Sequence, residues 1–149
     1  MENDIEKNKV RYSAYKYNSY LFIAIIFIAL VWTLEVTNII QENSFSFGIA
    51  TVILVFSILL HVQNHKLKLK SVPSYLVYLA NIVSGVSAVV IILANKAENL
   101  TELYVGIGLA VLVIVIQVVA AVFAFFAARE LRKGNPNLIE NWKTAKKEK

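Results

Sequence analysis

The sequence predicts an all-α, polytopic membrane protein: four transmembrane helices in two antiparallel hairpins, with short loops and a possible C-terminal interfacial helix. Three observations carry this expectation. Hydrophobic residues make up 58% of the 149-residue chain and charged residues 17%, and the mean hydropathy is +0.61, too apolar for an ordinary soluble domain of that length. Four stretches of 18 residues or more carry no Asp, Glu, Lys or Arg, close to the roughly 20 apolar residues that a helix needs to cross a bilayer core. Finally, 14 of the 15 basic residues fall where one face of a membrane would hold them.

The same arithmetic sets aside a disordered chain and a nucleic-acid reader, in spite of a net charge of +5. Cysteine is absent, so disulfides, thiolate metal sites, iron–sulfur clusters and thiol relays are excluded.

Residues 1–16 form a basic N-terminal segment. Tyr12, Tyr15, Tyr17 and Tyr20 interleave with Arg11 and Lys16 at the mouth of the first span. Aromatics among cations can stack single-stranded nucleic acid, but beside a span they are expected to anchor at the headgroups, with the cations facing anionic lipid. The first span covers residues 17–34. It has no small-x-small cleavage site after it and is expected to stay in the protein.

The second span is 45–62, the third 72–95 and the fourth 103–128, so that 17–128 forms the transmembrane domain. Connections at 41–44, 63–71 and 96–102 suit hairpins and leave no room for a folded domain outside the membrane. The basic tail, 129–149, opens with a helix-stopping Gly134-Asn135-Pro136-Asn137. Leu138, Ile139, Trp142 and Ala145 then share one face among lysines, as in a helix lying along the inner leaflet. With Lys96 the one cation on the other side, both termini of this multi-pass cell-membrane protein are expected in the cytoplasm.

Polar residues inside a bilayer are expensive, so Glu35, Asn81 and Gln117 are the ion or substrate candidates. Glu35, near Thr33, Thr37 and Asn38, supplies the carboxylate that a proton- or cation-coupled transporter needs, or else reaches the outer headgroups. Gln117, Asn81 and Ser84 are at comparable depths and could meet near the midplane, where Asn81, Ser84 or Ser87 on the third helix would satisfy the Gln117 amide as an interhelical bond. Small residues every fourth position, Ala80, Ser84 and Ala88 on the third helix and Ala120, Ala124 and Ala128 on the fourth, are expected to let these helices pack closely.

His61 and His65 have metal-ligand spacing but no third ligand near them, so neither a metal nor a cofactor is expected. Asp4 is the only aspartate and precedes the spans, which removes two-aspartate intramembrane peptidase chemistry. Ser57 and His61 stand four apart without an acidic orienter or a Gly-x-Ser-x-Gly turn.

The expected function is therefore noncatalytic. The protein would act through helix–helix contacts as an accessory or stabilising subunit, or as an immunity-type protein, with the lipid bilayer and either its own copies or other membrane proteins as partners. The alternative is a small oligomeric proton- or cation-coupled transporter that uses Glu35.

Overall fold

The computed structural model describes residues 2–36 and 45–147, which contain five helices and no strand. They are α1 (Glu2–Val36), α2 (Phe45–Lys66), α3 (Val72–Lys96), α4 (Leu100–Lys133) and α5 (Leu138–Lys147). Three helices among the described residues are long and apolar enough to cross a membrane: α1 over Glu6–Trp32, α3 and α4. Their outer faces carry Ile23, Leu30, Ile82, Val89, Val111, Val115 and Phe126 exposed. Such large apolar surface points to a membrane-embedded protein.

The helices outrun the uncharged stretches because backbone hydrogen bonding does not stop at the first lysine. At 1.5 Å per residue α1 and α4 are each about 50 Å long, longer than a hydrocarbon core of roughly 30 Å. Residues 2–16 are therefore the first turns of α1, and Arg129, Arg132 and Lys133 are the last turns of α4.

Each of the first four helices packs on the next, and α4 closes the ring on α1. The buried positions recur at seven residues: Ala14, Leu21 and Ile28 on α1, Ile53 and Leu60 on α2, Ala80, Ser87 and Ala94 on α3, and Gly106, Val113 and Ala120 on α4. Gln117 and Ala124 form a second such row on α4, as do Ala121 and Ala128. A seven-residue step keeps one face turned to a neighbour along the full length of helices that wrap with a left-handed sense.

This spacing corrects the expectation for α3. Ala80 is buried, but Ser84 and Ala88 are exposed, because a four-residue step turns the row about 40° further round the helix each time. On α4, Ala120, Ala124 and Ala128 are all buried.

Helices α3 and α4 approach closely at Gly106. Ser87 Oγ donates to the Gly106 carbonyl at 2.8 Å, and a β-carbon at Gly106 would stand 2.5 Å from Ile91 Cγ1 and 3.3 Å from the Ile91 backbone nitrogen. Glycine is needed here for proximity, at ordinary helical dihedrals. Gly108, two residues on, faces open space.

The pair makes an internal control. Gly106→Ala is expected to lower stability by about 1–3 kcal/mol through overpacking, whereas Gly108→Ala gains up to about 1 kcal/mol of helix propensity. Unfolding of the two variants by SDS titration in mixed micelles measures the difference.

Candidate functional site

The basic end of the molecule is assembled from the first turns of α1, the connection between α2 and α3, and the end of α4. These segments surround a cleft of about 1090 Å³ whose lining includes Lys7, Arg11, Lys66, Lys68 and Lys70 against two carboxylates, Glu6 and Glu130. Its field is therefore positive, and it attracts anions.

The α2–α3 connection is shaped by the way α2 ends. Leu69 N–H donates to the Asn64 carbonyl at 2.9 Å and Lys68 N–H to the His65 carbonyl at 3.1 Å, with Lys68 in the left-handed region at φ 54°. Glycine usually takes that position in this helix-ending turn; a side chain there costs about 1–2 kcal/mol. The chain then enters α3 through Ser71 and Pro73, proline fitting a first turn that has no use for its missing N–H.

At the far wall, Arg11 donates to Asn135 Oδ1 at 3.2 Å, and Asn135 Nδ2 donates to the Leu131 carbonyl. Asn135 thus ties α1 to the end of α4. Helix α5 begins at Leu138, beyond Pro136. Leu138 is buried and Trp142 stacks on Tyr12, centroids 4.5 Å apart and rings 17° from parallel, so α5 is docked on α1.

The inner part of the cleft is polar. Asn18 is fully buried; its Nδ2 donates to the Ala14 carbonyl at 2.9 Å, and its Oδ1 has no partner among the described residues. Since a carbonyl can only accept, the amide must point its nitrogen at Ala14, which leaves the oxygen as the free atom. Asn64 is likewise buried with an unpartnered Oδ1, and both asparagines line the cleft.

Further along α2 the same face carries Ser57 and His61. Ser74 Oγ on α3 donates to the Ser57 carbonyl at 2.9 Å, and Tyr78 OH reaches the same oxygen at 3.4 Å. The His61 ring meets Tyr75 edge-on at 5.2 Å. Ser57 Oγ and His61 Nδ1 are buried without a partner among the described residues.

The residues singled out from the sequence are spread over the molecule. Gln117 is buried on α4, whereas Asn81 is exposed on α3, its Nδ2 donating to the Val77 carbonyl at 2.8 Å. The fold gives the two amides opposite environments. Glu35 falls within α1, but its side chain, that of Thr33, and residues 37–44 lie outside the described residues. Tyr12 is taken up by Trp142, Tyr17 and Tyr20 pack against Phe56, Lys16 lies 5.3 Å from the Tyr20 ring centre, and Tyr15 is half-buried. No group of three metal-ligating side chains occurs among the described residues.

Asn18, Asn64, Ser57 and Ser74 went unremarked as buried polar groups. Their signal was present: 57 and 64 stand seven apart on α2, and 18 continues the row of Leu21 and Ile25 on α1. No protein-family model matches the chain, and no curated protein or solved structure is significantly similar to it.

Ser57 and Ser74 have opposite expected energetics. Ser74→Ala loses an interhelical bond worth on the order of 1 kcal/mol. Ser57→Ala removes only an unsatisfied hydroxyl and is expected to be neutral or stabilising. Detergent-unfolding midpoints of both variants check the contrast.

Proposed function

We propose that the protein is a noncatalytic, four-span cell-membrane protein with cytoplasmic termini that acts by binding another membrane helix, as an accessory, stabilising or immunity-type partner. The fourth span would be α2. Its 22 residues reach about 33 Å, and it carries no charge from 45 to 62. The gathering of Lys7, Arg11, Lys66, Lys68 and Lys70 round one cleft supports a single cytoplasmic face.

The observation that carries the reading is the outward face of α3. Asn81, Ser84, Gly85 and Ala88 follow one another at helical spacing, all exposed, and a β-carbon on Gly85 would meet nothing within 4 Å. Small residues let a second backbone approach. An amide turned outward midway along an apolar helix gains from a partner that lipid does not offer. The transport alternative rests on Glu35, whose side chain lies outside the described residues, and the outward face of α3 favours the helix-contact reading.

The chain has no cysteine, so single-cysteine variants are unambiguous probes. In native membranes Ala88→Cys is expected to give a covalent adduct under mild oxidation or with a short bis-maleimide, either with its own copy or with a second membrane protein. Val118→Cys, exposed on α4, is the control, and Gly85→Leu in the Ala88→Cys background should abolish the adduct. Equal crosslinking at both positions, or none at Ala88→Cys, would refute the reading.

A further inference from the structure

Three features of the basic cleft converge on one ligand chemistry. The first is charge: five cations face two carboxylates, an excess that repels itself unless an anion enters. The second is the pair of buried amides. Asn18 Oδ1 and Asn64 Oδ1 are acceptors with no donor, so a ligand that brought only negative charge would leave them unsatisfied. The third is Lys68, whose left-handed backbone would be relieved by glycine. Glu98 carries the same strain away from the cleft, so what sets Lys68 apart is that its strained turn places an ammonium on the cleft wall.

We propose that the cleft binds a phosphate ester that also carries free hydroxyl groups, the chemistry of an anionic glycerophospholipid headgroup. Lys66, Lys68 and Lys70, with the remaining N–H groups of Arg11, hold the phosphate. A hydroxyl on the same molecule donates to Asn18 Oδ1 or Asn64 Oδ1 once the side chains that close both oxygens off at the inner end of the cleft move aside for it. The volume of about 1090 Å³ admits such a headgroup with water around it. The level is also right: Lys70 stands three residues before Pro73, in the first turn of the membrane-crossing candidate α3, where headgroups would lie. A choline headgroup offers no hydroxyl donor, and phosphatidate lacks the glycerol hydroxyls, so the site discriminates against both.

The full-length protein in detergent micelles is titrated with phosphatidylglycerol, phosphatidate and phosphatidylcholine of matched chains, and bound lipid is counted by native mass spectrometry. Phosphatidylglycerol is expected to be retained about tenfold over phosphatidylcholine, a few-fold per lysine after screening, and to lead phosphatidate by a smaller margin. The variant K66Q/K68Q/K70Q should lose that preference, and Asn18→Leu should keep the preference for anions but lose the lead over phosphatidate.

Lys68→Gly separates binding from folding, because relief of the left-handed strain should raise the melting temperature while phosphatidylglycerol binds more weakly. Full displacement of the lipid by millimolar sn-glycerol 3-phosphate would make a soluble ester the ligand at the same site; no displacement would assign it to the lipid. Equal retention of phosphatidylglycerol and phosphatidylcholine, binding unaffected in K66Q/K68Q/K70Q, or displacement by inorganic phosphate as efficient as by the glycerol ester would overturn the proposal. Undiminished discrimination against phosphatidate in Asn18→Leu would remove the hydroxyl contact from it.

Discussion

The arrangement depends on how near other helices can come to α4. Gly106, Ala120, Ala121, Ala124 and Ala128 present almost no side-chain bulk on its buried rows, so α3 and α1 lie against its backbone from two sides. Between apolar helices in lipid the contact gains little from the hydrophobic effect, since lipid tails are as apolar as leucine. Dispersion over a close fit and a few cross-helix hydrogen bonds carry it instead. The Ser87 hydroxyl can reach the Gly106 carbonyl only because nothing projects from Gly106.

The opposite strategy governs the basic end. There buried asparagine and serine join alanine on the interior rows, and long cations border the cleft. The α2 terminus, with its left-handed Lys68, turns the chain so that three lysines on alternate residues border one opening. Arg11 and Asn135 brace the other side, and α5 covers the start of α1. One end of the molecule is thus polar and cationic while the flanks are apolar.

Much of the helical layout was legible in the distribution of charge, and little of the packing was. The uncharged run 72–95 matches Val72–Lys96 because proline starts that helix and a lysine ends it. By contrast, the run 17–34 is half of Glu2–Val36, since charge marks where lipid would stop but leaves the helical hydrogen bonds intact. Packing was hidden by uniform apolarity. With every face greasy, no amphipathic stripe marks the inside, and the seven-residue recurrence of small and polar residues on α3 and α4 is the trace that survives. The four-residue row of Ala80, Ser84 and Ala88 competed with it and pointed partly outward. The buried asparagines were obscured for a related reason: Asn18 sits within a run of tyrosines, where it reads as one more interfacial residue.

The stack of Trp142 on Tyr12 gives the molecule two optical reporters. The chain has two tryptophans, and the other, Trp32, lies twenty residues beyond Tyr12 on the same helix, about 30 Å along its axis. That separation equals the thickness of a hydrocarbon core, so the two indoles bracket the bilayer that α1 would cross. Each fluorophore, kept alone by replacing the other with phenylalanine, samples a different rim, and quenching by a water-borne ion on one side of a sealed vesicle reads the direction of insertion from unlabelled protein.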